Sequence, residues 1–214
     1  MDEIQTDEIP LFPLPNVVLF PGARLALRIF EPRYREMVTD ARSGPGLVGM
    51  TVLRGDWQQD YEGCPEIYPL GCVGRIIDFE PLPDGRSNLV LLGLQRFCIR
   101  DELQGRVYRR ASVDWLEEPG EAPEQSMIDG LREAVELLLR LNPENAAADL
   151  WAALPTDPRR MIDQLAFLLP LSPLEKFALL ECSGASARAS RMIEIVEFRI
   201  AEARVPREGR GPCH

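Results

Sequence analysis

Pro10, Pro13 and Pro15 crowd the opening of this chain and constrain what can follow them. Proline lacks a backbone N–H and clashes with the preceding helical turn, so this opening must be an extended or edge segment. Asn16 to Phe20 then reads as a short apolar strand. Pro21-Gly22 turns the chain, and Ala23 to Ile29 alternates, with Leu25, Leu27 and Ile29 on one face and Arg24, Ala26 and Arg28 on the other. Pro32 suits the first position of a helix, and Tyr34, Met37, Val38 and Ala41 follow at helical spacing. Arg42 to Gly46 (RSGPG) ends that helix.

Strands dominate the first half. Leu47 to Leu53 is one, Arg54 to Tyr68 is a long polar connection, and Leu70 to Phe79 and Leu89 to Arg100 are joined across Pro81-Leu82-Pro83-Asp84-Gly85, a strong turn signal. Val107 to Trp115 alternates again. Short strands of this kind lose their exposed edges if they close into a barrel. Glu117 to Glu124 (EEPGEAPE) is acidic, rich in Pro and Gly and nearly without apolar residues; it reads as a linker and as the most protease-sensitive internal site. Beyond it come helices. Ile128, Leu131, Val135 and Leu138 form the face of the first, Asn145 to Leu154 is a short second, Asp157-Pro158 starts a third that Pro170 stops, Ser172 starts a fourth, and Ala189, Met192, Ile193, Val196, Ile200 and Ala203 mark the last. The predicted divisions are 1–116, a linker at 117–124, a helical part at 125–206 and a disordered tail at 207–214. The fold class is α+β with segregated parts.

Composition removes several kinds of chemistry. The one histidine, His214, is the final residue, so a Ser-His-Asp triad, a Cys-His pair and an HExxH zinc site have no internal imidazole to use. The one lysine, Lys176, has neither the glycines nor the Ser or Thr of a phosphate-binding loop around it. Ser172 precedes Lys176 by one helical turn, which raises a Ser-Lys dyad, but Ser172-Pro173-Leu174-Glu175 is a capping box that commits the hydroxyl to the backbone. The five cysteines show no CxxC spacing and the amino terminus has no signal-peptide pattern, which points to a reducing cytoplasm. No apolar run approaches a membrane span. A net charge of −10 opposes binding to phosphates, and the arginine clusters Arg33-Arg35, Arg106-Arg109-Arg110 and Arg159-Arg160 read as solvated or ion-paired. No cofactor or metal is expected.

The run IPLFPLPNVVLFPGARLALRIFEPRYREMV (Ile9 to Val38) resembles the opening of the N-terminal domain of the ATP-dependent Lon protease family. Pro65 to Glu80 (PEIYPLGCVGRIIDFE), Asn88 to Arg100 (NLVLLGLQRFCIR) and Leu168 to Cys182 (LLPLSPLEKFALLEC) resemble later segments of that domain, in the same order. The resemblance implies an N-terminal PUA-like β pseudo-barrel with one helix, followed by a C-terminal α-helical bundle. It implies a non-catalytic module that recognises unfolded or damaged polypeptides, without the ATPase and peptidase domains and with a separate ATPase or protease as its partner; self-association fits the same family.

Candidate peptide-binding residues are Trp57, Tyr61 and Tyr68, aromatic side chains in a long polar connection, and Arg33 and Tyr34 at the start of the first helix. The competing expectation is that the rings fold back as a lid on the barrel. RNA binding is the alternative function, since PUA-like barrels elsewhere bind RNA; the acidic charge opposes it.

Overall fold

The computed structural model describes residues 4, 6–60, 63–141 and 150–204. In chain order these form β1 (Glu8–Leu14), β2 (Arg24–Ile29), α1 (Pro32–Ser43), β3 (Leu47–Leu53), β4 (Ile67–Pro81), β5 (Ser87–Leu103), β6 (Arg110–Trp115), α2 (Gln125–Leu141), α3 (Pro158–Leu168), α4 (Pro173–Glu181) and α5 (Ala185–Arg204). Short 3₁₀ turns occupy Trp57–Asp60 and Trp151–Ala153. The architecture is α+β, a mixed sheet with helices. Half of the expected short helix at Asn145 to Leu154, residues 145–149, and all of the tail at 207–214 fall outside the described residues.

The sheet runs β2-β5-β4-β3-β1-β6, and β5 pairs with β6 as well. Five strands therefore form a closed ring, and β2 is left as an edge. Inside the ring, Ile9, Leu11, Leu47, Val73, Phe97, Ala111 and Val113 make a small core of their own. Phe97 sets its packing: a Cβ on Gly71 would collide with the Phe97 ring and with the Met50 carbonyl oxygen, so the strand can pass there only as glycine.

The opening of the chain departs from the expectation in two ways. Asn16 to Phe20 is not a strand. Val18, Leu19 and Phe20 are buried in succession rather than alternately, because the segment dives across β5 at Gly93, where Gly22 N–H donates to the Gly93 carbonyl at 2.8 Å and a side chain would strike the Phe20 backbone. The proline-rich opening is instead β1 itself, lying between β3 and β6. It tolerates Pro10 and Pro13 because it changes partner along its length: Glu8, Ile9 and Pro10 pair with β6, and Leu11 to Leu14 pair with β3. Along either half the ladder register is mainly on one side, where a missing donor costs little.

The larger core is continuous from sheet to helices and includes Phe20, Met37 and Leu91 alongside Leu131, Ile162 and Val196. Helix α1 buries Tyr34, Met37, Val38 and Ala41, the stripe expected from spacing. Helix α5 packs on α2, α3 and α4. The helix starts follow local chemistry. Asp157 accepts the Arg160 N–H at 3.0 Å to open α3. Ser172 and Glu175 form the expected capping box, with Ser172 N–H donating to Glu175 at 2.7 Å and Glu175 N–H to Ser172 Oγ at 3.3 Å.

Residues 117–124 hold neither helix nor strand, yet Glu118 is anchored. Its carboxylate takes Arg96 of β5 and Arg188 of α5, which are 3 % and 1 % exposed. Arg96 also donates to the Leu180 carbonyl at 2.8 Å. Arg188 bonds Asp163 and reaches the Leu179 and Cys182 carbonyls at 3.0 and 3.1 Å. These two arginines supply donors to carbonyls at the end of α4, where the helix runs out of its own N–H groups; Leu179 also accepts the Cys182 N–H at 3.3 Å.

Candidate functional site

Of the sequence-derived candidates, Arg33 and Tyr34 come together. Both lie in the first turn of α1, where Pro32 sets the helical φ. Arg33 Nε donates to Glu31 at 3.0 Å, and its guanidinium lies 4.8 Å from the centre of the Tyr34 ring. Tyr34 itself is core: it is buried, and its ring meets Phe12 with centroids 4.3 Å apart. Tyr68 lies elsewhere, on β4, with its ring 4.2 Å from that of Phe177 on α4 and the Arg54 guanidinium 5.8 Å away. It joins sheet to helices. Trp57 opens the 3₁₀ turn after β3 and is half-buried, and it does not line the cleft that holds Arg33. Tyr61 lies outside the described residues.

That cleft, of about 210 Å³, runs between the start of α1, the connection after β3 and the tip of the β5–β6 hairpin. Arg109 ties two of its walls together, donating to Glu102 through Nε at 2.9 Å and to the Pro65 carbonyl at 2.6 Å. Tyr108 donates to Asp40 at 2.7 Å; burial first, then the neighbouring carboxylate, pushes its phenol up to about 12, so it stays a donor at neutral pH. Arg106 reaches Asp40 at 3.4 Å. Val107, 64 % exposed, stands at the tip. The cleft thus offers one exposed aliphatic side chain among arginines whose charge is largely answered by Glu31, Asp40 and Glu102. Sequence analysis missed the hairpin tip. The signal was Arg106-Val107-Tyr108-Arg109 after Gly105, but only pairing of β5 with β6 brings it opposite α1.

The Ser172–Lys176 pair is committed to structure. Ser172 Oγ donates to Glu175 at 2.6 Å, while Lys176 Nζ donates to the Phe167 carbonyl. Burial lowers the Lys176 pKa, and the Arg199 guanidinium, bonding Glu175 at 2.8 and 2.6 Å, holds that carboxyl down at about 2. Among the described residues no three His, Cys, Asp or Glu side chains are grouped to hold a metal ion, and no helix is long and apolar enough to cross a membrane.

By fold the chain is an α+β domain of the kind seen at the start of Lon proteases. It superimposes with a TM-score of 0.64 on the crystal structure of a Lon N-terminal domain protein from Xanthomonas campestris, at 26 % identity, covering 87 % of this chain and 97 % of that one. The N-terminal domain of a Mycobacterium avium complex Lon protease shares the fold at TM-score 0.65 and 18 % identity, over 89 % and 98 % of the two chains. The family model for the ATP-dependent protease La (LON) substrate-binding domain matches residues 8–197, and the chain belongs to that family. Lon protease 2 of Myxococcus xanthus is 28 % identical over 196 residues, which cover 88 % of this chain and 23 % of the relative. Lon protease of Escherichia coli K12 is 25 % identical over 197 residues, covering 90 % and 25 %. The chain spans about a quarter of the length of these curated relatives.

Proposed function

We propose that this chain is a polypeptide-recognition module that binds unfolded or damaged protein, performs no catalysis itself, and works beside an ATPase or protease. The observation that carries this is the match of residues 8–197 to a family described by its substrate-binding role. Two sequence facts support the non-catalytic part: the 214 residues hold no phosphate-binding loop around Lys176, and no histidine before His214. Within this reading, residues 1–116 are a PUA-like pseudo-barrel, 117–124 a linker and 125–206 a helical bundle. The separate core inside the strand ring supports the first, and the packing of α5 on α2, α3 and α4 supports the last.

Binding residues are Arg33 with the exposed hairpin tip at the cleft, and Trp57 and Tyr61 of the chain between β3 and β4; Tyr68, packed on Phe177, is not among them. Binding is weak, because a flexible client loses chain entropy when it docks and few side chains are there to offset that loss. The test is retention of a chemically denatured, fluorescent client on the immobilised chain, against the same client in its native form. Denatured client should be retained preferentially, and Trp57→Ala should reduce retention with an unchanged melting temperature. Equal retention of native and denatured client rules the proposal out, as does ATP turnover that co-purifies with the chain.

A further inference from the structure

Strand β2 is the one strand left out of the ring: among the described residues it pairs with β5 alone. Gly93 N–H donates to the Ala23 carbonyl at 2.9 Å, so the Ala23 carbonyl points at β5. Because N–H and C=O alternate sides residue by residue along a strand, Leu25, Leu27 and Ile29 face β5, while Arg24, Ala26 and Arg28 direct theirs away from the sheet. All three of these residues are exposed. None of their outward backbone groups has a hydrogen-bond partner among the described residues. An edge of this kind is a template for another strand.

The side chains select what can pair there. Arg24 and Arg28 share one face with Ala26 between them, and neither forms an ion pair among the described residues. A second copy docking antiparallel about Ala26 would set Arg24 against Arg28 twice, and like charges directly opposed across strands are destabilising. The edge is thus guarded against its own kind. An extended segment with acidic residues four apart and an uncharged one between them would place a carboxylate opposite each guanidinium. Asp78 and Glu80, on the same face, belong to β4, two strands in. With strands about 4.8 Å apart they sit about 14 Å from an added strand, beyond the screening length of about 8 Å at physiological salt.

We propose that the free edge of β2 is a docking site for an extended acidic polypeptide segment, which adds as a further antiparallel strand beside Arg24–Arg28. This rests on the reading of the domain as a polypeptide binder, and it names the class of segment: two carboxylates at i and i+4, held by main-chain hydrogen bonds and by two arginines.

The test uses fluorescence anisotropy with the whole chain and three short peptides. One is centred on Glu-Val-Thr-Val-Glu, one replaces both Glu by Lys, and the third is the Glu peptide N-methylated at the central Thr, which would otherwise donate to the Ala26 carbonyl. The Glu peptide should bind about tenfold or more tighter than the Lys peptide at low salt. Arg24→Glu with Arg28→Glu should invert that preference. N-methylation should cost about tenfold. Ala26→Pro should cost the same, since proline there removes an outward donor and no bond to β5. If that variant fails to fold, the N-methylated peptide carries the test. Equal affinity for the Glu and Lys peptides, indifference to N-methylation, or a dimer in sedimentation that the Glu peptide does not dissociate would each overturn the assignment. Retention of denatured client measured in parallel separates the two proposals: client retained with no Glu/Lys discrimination removes only the edge site, whereas no retention removes the wider reading.

Discussion

Arg188 is where this fold is most vulnerable to a single substitution. It is 1 % exposed and serves Asp163, Glu118 and the Leu179 and Cys182 carbonyls at once. Arg188→Ala would leave Asp163 buried without its cation and would take the guanidinium donor from the Leu179 and Cys182 carbonyls. Removing one partner of a buried pair typically costs about 3–5 kcal/mol, because the remaining charge stays desolvated. With an m-value of about 3 kcal/mol per molar urea, that is a midpoint lowered by roughly 1–1.7 M. The pH dependence sharpens the test. Burial already pushes Asp163 up to about 6 even with Arg188 against it, and removal of the arginine raises it further. Since the folded state then binds this proton more tightly than the unfolded chain does, stability lost at pH 8 is partly regained as pH falls through 6. Urea melts followed by circular dichroism should show a larger deficit for Arg188→Ala at pH 8 than at pH 5. The double variant Arg188→Met with Asp163→Leu should recover most of the loss, since apolar residues of similar volume remove the uncompensated charge. A deficit below about 1 kcal/mol at pH 8, or a double variant no better than the single, would refute the reasoning.

Three further outcomes are expected. Ser172→Ala should destabilise by about 1 kcal/mol, the usual loss of an N-cap hydroxyl, and an unchanged urea midpoint would mean that the cap contributes nothing. Glu175 is held near 2 in the fold, chiefly by Arg199, so its contribution is fully present above about 4.5 and is lost as pH falls towards 2; Glu175→Gln should flatten the acid limb of a stability profile between those values, and an unaltered limb counts against it. Cleavage by a glutamate-specific protease should begin at Glu121 or Glu124 rather than at Glu118, which two arginines hold, and the halves should co-elute in gel filtration because the larger core runs through both. First cuts inside α4, at Glu175 or Glu181, would contradict this.

What the chain's own order of residues determined is everything that local physics can settle. Pro32 opening α1, the stripe of Tyr34, Met37, Val38 and Ala41, the Asp157 and Ser172 caps, the alternation of Arg24 to Ile29 and the turn at Pro81 to Gly85 all depend on neighbours within a few residues, where propensity, periodicity and capping act. The family, too, was legible in ordered segments. What only the tertiary structure decided depends on partners distant in sequence. Pro10 and Pro13 sit inside a sheet because β1 exchanges β6 for β3 between them, a fact no window of residues contains. Tyr34 and Tyr68 face Phe12 and Phe177, so two side chains that looked available for recognition pack within the protein. Glu118, in a stretch whose composition reads as a plain linker, is anchored by arginines 22 residues before it and 70 after. The outward hydrogen-bonding edge of β2 exists because the ring closes between β5 and β6 and leaves that strand outside. Each of these follows from burial and strand pairing, which are properties of where distant segments meet.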